Sequence, residues 1–149
     1  MRLAFDFRYN KKIAESLINV SSEFLASAYF AKDTLKSWSV FSDNLFSCLE
    51  LAVKAFLWTT AYGTTFKAKM AHPIIRETFK QFPAELNNMA SQVKTLDALS
   101  ATRYSVRYLN TPINPRWDEG VSWLKDAEAM LLHARNQIRD SSSRTDLHK

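Results

Sequence analysis

The residues Phe41 to Ala61, FSDNLFSCLELAVKAFLWTTA, limit the fold more than any other stretch of the chain. Read at a helical step, Asp43, Ser47, Glu50 and Lys54 recur every three or four positions and share one narrow stripe. Phe41, Leu45, Phe46, Cys48, Leu49, Leu51, Ala52, Val53, Phe56 and Leu57 cover almost all of the remaining circumference. A helix that apolar has to be enclosed by several others, so the stretch predicts the central helix of a bundle. Glu50 precedes Lys54 by four residues, the favourable order for an ion pair along one face.

The rest of the chain agrees with that architecture. With only 2 glycines and 4 prolines in 149 residues there are few tight turns, which favours long helices over many short strands. The expectation is an all-α, up-and-down bundle of four to five helices forming one domain, 1–149. Residues Met1 to Tyr9 read as a short extended lead-in, and Asn10 as the N-cap of a first helix running to about Asp33. Ile13, Leu17, Val20, Phe24, Ala28, Ala31 and Leu35 step by three or four and describe its inner face. A turn falls within Lys32 to Ser39, short enough to make the first two helices antiparallel. Gly63 then closes the central helix. His72-Pro73 opens a short helix, IIRETFKQF. Pro83 starts another, with Leu86, Met89, Val93, Leu96 and Leu99 at helical spacing up to about Tyr108. Pro112 and Pro115 interrupt the chain, and Val121, Leu124, Ala127, Leu131, Ala134 and Ile138 form the face of a last helix. Asp118 and Glu119 near its start and Arg135 and Arg139 near its end would complement the helix dipole. The residues 141–149 read as a mobile tail.

Several chemistries are excluded by what is missing. Cys48 is the only cysteine, so no intramolecular disulfide can form, and its apolar neighbours make it a small core residue rather than a nucleophile. Three scattered histidines give no zinc spacing, and no metal or other cofactor is expected. No glycine-rich phosphate loop, GxSxG, HExxH or paired-carboxylate pattern occurs. Glu50 and Lys54 interrupt the one long apolar run and the N-terminus lacks a signal-peptide core, so a soluble cytoplasmic protein without membrane partners is expected.

A net charge of +5 points to an anionic partner, which side chains would have to hold. The candidate cluster is Arg103-Tyr104-Ser105-Val106-Arg107-Tyr108. On a helix the two arginines stand on one face and the two tyrosines on the next, setting guanidinium groups beside surfaces on which bases stack. The simpler reading is arginines complementing a helix C-terminus and tyrosines burying their rings. Lys54 on the polar stripe and His72 before its short helix complete the candidate ligand-binding set Lys54, His72, Arg103, Arg107 and Tyr108. No catalytic residue is assigned.

The order ELAVKAFLW (Glu50 to Trp58), His72 opening a short helix, Leu96-Asp97 running into Arg107-Tyr108, and an alanine-rich last helix resembles the HEPN domain. Its matching elements are an ELALKALL-like helix, a histidine with following leucines, and an R-Y-P ending. The resemblance spans roughly Lys11 to Arg139. It implies a helical bundle that commonly forms a homodimer, associated with nucleotidyltransferase-like partners, RNA processing and defence of the toxin-antitoxin kind. Many members are metal-independent endoribonucleases with an R-x4-6-H motif, which this chain lacks: Arg144 and His148 are one residue too close, and Leu109 stands where the ending has proline. The resemblance therefore implies a non-catalytic member that recognises a nucleotide or RNA phosphate. The alternatives are an endoribonuclease with displaced groups such as His133, Arg135 and Arg139, and a plain dimeric interaction module using exposed Trp38, Trp117 or Trp123.

Overall fold

The computed structural model describes residues 2–59, 75, 77, 79–80, 86–109 and 114–146; within these, side chains are described for 11–59, 75, 77, 79–80, 89–108 and 114–139. The described elements are α1 (Arg2–Phe30), a π turn (Ala31–Leu35), α2 (Trp38–Trp58), α3 (Leu86–Tyr104), a second π turn (Ser105–Leu109) and α4 (Trp117–Asp146). Ile75, Glu77, Phe79 and Lys80 are helical as well, within the expected short helix. No strand occurs among the described residues. The helices alternate in direction. Ser21 on α1 reaches Cys48 on α2, Arg135 and Glu128 on α4 meet Ser22 and Tyr29 on α1, and Arg103 and Arg107 at the end of α3 meet Asp43 near the start of α2. The architecture is an up-and-down helical bundle.

The apolar stretch is its centre, because α2 has packing partners on most of its circumference. It buries Phe41, Leu45, Phe46, Cys48, Leu49, Ala52, Val53, Ala55, Phe56, Leu57 and Trp58, and packs against α1, α3 and α4. Ser37 starts the helix as N-cap, in extended backbone with its Oγ accepting from the Val40 N–H at 3.4 Å. The preceding turn closes as Lys36 enters the left-handed region (φ 53°, ψ 35°) and the N–H groups of Lys36 and Ser37 both point at the Ala31 carbonyl. This is where the sequence places the turn.

Four expectations change. Residues 2–9 are not an extended lead-in but the first turns of α1. No proline or glycine precedes Gly63, so nothing stops the helix from extending ahead of Asn10. α4 runs on to Asp146, so most of the expected tail is helical and Arg135 and Arg139 lie before the last turn. Their positions answer to side-chain partners instead: Arg135 Nη2 donates to Ser22 Oγ at 2.8 Å and Arg139 Nη2 to Asn136 Oδ1 at 3.2 Å. Finally, Trp38 and Trp123 are buried and Trp117 is half-buried. These tryptophans join Phe41 in one aromatic cluster, with Trp117 edge-on to Trp38 at 5.2 Å and Trp123 5.6 Å from Trp38. They pin α4 to α2 and offer no exposed interface. Gly63, Pro73, Pro83 and Pro112 lie outside the described residues.

Gly120 in the first turn of α4 lets that cluster close. A Cβ there would sit 3.0 Å from Phe41 Cε1 and 3.2 Å from both Phe41 Cζ and Trp38 Cζ3. Alanine would add about 1 kcal/mol of helix propensity at most. Phe41 is fully buried between Trp38 and Trp117, so its ring has no room to retreat. Overpacking of this kind costs about 1–3 kcal/mol and outweighs the gain. Gly120→Ala is expected to lower the urea midpoint without changing the slope; an unchanged or raised midpoint would show that the cluster has slack.

Candidate anion-binding site at the end of α3

Asp43 is the centre of the polar cluster nearest the predicted site. It lies on the polar stripe of α2, one turn beyond the helix start, facing the C-terminal end of α3. Arg107 holds it in a fork, with Nη2 2.9 Å from Oδ1 and 3.0 Å from Oδ2, and Nε 3.2 Å from Oδ1. Arg103 adds Nε at 3.1 Å to the same Oδ1. Two guanidinium groups thus share one carboxylate, and the cluster keeps one net positive charge. Planar forks suit carboxylates and phosphates alike.

The surroundings fix one arginine more firmly than the other. The Arg103 guanidinium lies over the Phe46 ring, 4.9 Å from its centroid, and its side chain is 26% exposed. The Arg107 side chain is 44% exposed, against 35% for Asp43. The hydrogen bonds and charge of Asp43 push the Arg107 guanidinium further above its ordinary value, so it stays charged at every relevant pH.

Arg107 and Tyr108 belong to the π turn Ser105–Leu109, which continues α3. Such turns are rare and occur often at functional positions. Here the wider turn still delivers Arg107 to the carboxylate that Arg103 meets from the α-helical part. Tyr104 and Tyr108 flank the pair with ring centroids 5.3 Å apart, and they are 57% and 69% exposed. Burial therefore does not account for these two rings. The expectation that tyrosines at this helix end bury their rings fails.

The five predicted ligand residues do not gather at one point. Arg103, Arg107 and Tyr108 are together. Lys54 is partly buried and shares the polar stripe with Asp43, but it lies three turns further along α2, roughly 16 Å away. Neither Lys54 nor the buried Glu50 is without an interaction partner. His72 lies outside the described residues. What sequence reasoning missed is Asp43 as the common partner of both arginines. The signal was present, because an acidic residue on the polar stripe of an otherwise buried helix has to meet a cation, but a one-dimensional pattern does not say which one.

Other polar contacts among the described residues join the helices. Asp126 on α4 accepts from Ser91 Oγ at 2.7 Å and Thr95 Oγ1 at 2.6 Å, fastening α3 to α4. Tyr29 donates to Glu128, and this bond to a carboxylate pushes the phenol up to about 12. Lys80 bridges to Asp97 at 3.1 Å. His133 is half-buried on α4, and the described residues hold no cluster of three or more His, Cys, Asp or Glu side chains that could bind a metal ion. Among the described residues no helix is long and apolar enough to cross a membrane. No family model, curated protein or solved structure matches the chain.

Proposed function

We propose that the protein is a non-catalytic helical binding module of the HEPN type, which holds a nucleotide or RNA phosphate at Arg103 and Arg107. A single observation carries this reading: two guanidinium groups with surplus positive charge stand beside a pair of exposed tyrosine rings. The arginines supply planar donors to phosphate oxygens, and Tyr104 and Tyr108 offer faces to bases, each worth about 1–3 kcal/mol when a base stacks. Lys54 lies too far along α2 to meet the same phosphate. On this reading it contributes to a longer backbone track or to the fold alone.

The test is binding of a fluorescein-labelled single-stranded uridine 12-mer, followed by anisotropy between 50 and 300 mM salt. The double variant Arg103→Ala/Arg107→Ala is expected to weaken binding at least tenfold and to reduce the salt slope by about 0.7, the value for one phosphate of a single strand that is no longer neutralised. Lys125→Ala, an exposed cation on α4, serves as the control. Equal affinity for wild type and double variant removes the site. Cleavage of the RNA that His133→Ala abolishes would favour the endoribonuclease instead.

One observation supports self-association as a second reading. α1 bears a shallow, mostly apolar depression of about 340 Å³ lined by Lys12, Ile13, Ser16, Leu17 and Val20; Val20, expected on the inner face, is exposed there, while Ile13 and Leu17 pack against the core as expected. Lys12, Ser16, Val20 and Glu23 fall on one stripe of α1. A second copy packed antiparallel would set Lys12 of each chain against Glu23 of the other. This replaces the tryptophan interface expected from sequence. A partner protein of the nucleotidyltransferase kind rests on the resemblance alone.

A further inference from the structure

The pairing of Asp43 with the two arginines is peculiar for a plain structural ion pair. Three nitrogens of two guanidinium groups converge on the edge of one carboxylate, their four hydrogen bonds fall within 3.2 Å, and three of those four go to a single oxygen, Oδ1. Arg107 meets the carboxylate as a fork and Arg103 through Nε alone. A phosphate presents three or four oxygens around a tetrahedral centre, more acceptors than the two of a carboxylate, and the same donors suit it. The place between the arginines is thus held by an acceptor of the class that a phosphate also offers. It is also open: all three side chains are partly exposed, and the exposed tyrosine pair lies alongside.

We propose that Asp43 is an internal competitor, a carboxylate seated where the phosphate of a nucleotide or RNA ligand binds, which that ligand must displace from Arg103 and Arg107. This rests on the phosphate-binding reading and adds to it a regulatory element. With Asp43 in place the arginines are kept aligned but partly neutralised. Weakly bound anions such as chloride or single phosphates do not displace it. A ligand that also stacks bases on Tyr104 and Tyr108 gains enough to do so; the displacement costs every phosphate the same, so at a given concentration bare phosphates stay off while base-bearing ones bind.

The experiment measures binding of the labelled uridine 12-mer, of uridine monophosphate and of inorganic phosphate to the full chain at constant ionic strength. The proteins are wild type, Asp43→Asn, and Asp43→Asn combined with Arg103→Ala/Arg107→Ala. Asparagine keeps the shape and a carbonyl acceptor but loses the charge. The competitor reading expects Asp43→Asn to tighten the 12-mer and inorganic phosphate by a similar factor of at least ten, with both gains lost in the triple variant. Tighter binding of the 12-mer than of the monophosphate by the wild type locates the ligand on RNA; equal affinity locates it on free nucleotides.

A general charge effect is a different outcome: Asp126→Asn, which removes one negative charge from the α3–α4 interface, would then tighten binding equally, and the proposal falls. If Asp43→Asn binds no better while the double arginine variant binds worse than wild type, the phosphate site stands and the competitor is wrong. If no protein binds any probe, both readings fall. Should Asp43→Asn fail to fold, the wild type still decides. Saturation with the 12-mer is expected to shift the Asp43 side-chain carboxyl ¹³C resonance together with the Arg103 and Arg107 Nε–H resonances, whereas arginine shifts with a stationary Asp43 carboxyl overturn the proposal.

Discussion

Phe41→Ala is expected to destabilise the protein by about 3–5 kcal/mol. The ring is fully buried and lies 5.5 Å from Trp38 and 5.3 Å from Trp117, with Gly120 against its edge. Removing it opens a cavity between two rigid side chains, Trp38 and Trp117, on two helices. Tryptophans held in an aromatic cluster cannot collapse into that space as a flexible methionine could, so the loss lies near the upper end of the range. For a domain of this size the expected fall in melting temperature is roughly 6 to 20 °C. Against a typical total stability of about 5–15 kcal/mol, that is enough to leave a marginal fold. Phe41→Leu keeps most of the volume and should cost less than half as much. Chemical denaturation of both variants checks the order, and equal small losses would mean that α2 and α4 are not joined through this cluster.

The second large effect is on alkaline stability. Burial pushes the Cys48 thiol up to about 11 from its ordinary 9.0; the Ser21 hydroxyl, 3.5 Å from Sγ, works against this, and Glu128 adds to it. The thiol is neutral when protonated, so a raised value in the folded state favours the protonated form. Its contribution is complete below pH 9, where the unfolded chain is also protonated, and is lost as pH rises from about 9 towards 11. The shift corresponds to a loss on the order of 2–3 kcal/mol across that window. Tyr29 acts in the same direction at slightly higher pH because its hydrogen bond to Glu128 requires the phenol proton. Cys48→Ala removes the first component and leaves the second. Urea midpoints measured from pH 7 to 10.5 should therefore fall more steeply for wild type than for Cys48→Ala. Equal slopes would show that the thiolate is solvated. The same burial predicts that a thiol-directed reagent reacts at pH 8 only after unfolding.

The functional question turns on how Asp43 pairs with Arg103 and Arg107. The pairing of Arg103 and Arg107 with one half-buried carboxylate is compatible with a fold-stabilising role, since a bidentate fork on a shared carboxylate is the geometry in which an ion pair does contribute to stability. On the proposed reading the same groups, beside two exposed aromatic rings, are placed for a ligand. The affinity experiments on Asp43→Asn and on the double arginine variant separate the two accounts.

The fold was legible because α2 is apolar over nearly its whole surface and therefore demands helices on several sides. The turn after α1 was legible from the polar residues around Asp33 to Ser39, and Cys48 from its neighbours. The start of α1 and the end of α4 were not, because helix ends depend on what competes with the next turn, and here no glycine or proline does. The tryptophans show a second limit: an aromatic residue near a helix end is equally suited to a surface interface or to a core, and only the crossing of α4 over α2, with Gly120 allowing close approach, decided for the core. Local periodicity thus determined the helical class and which helix is central, since both depend on side chains a few positions apart. Which cation meets Asp43, and that Lys54 stands three turns from the arginines, was decided by tertiary packing, since these relations join residues about sixty positions apart whose distance is set by how whole helices dock.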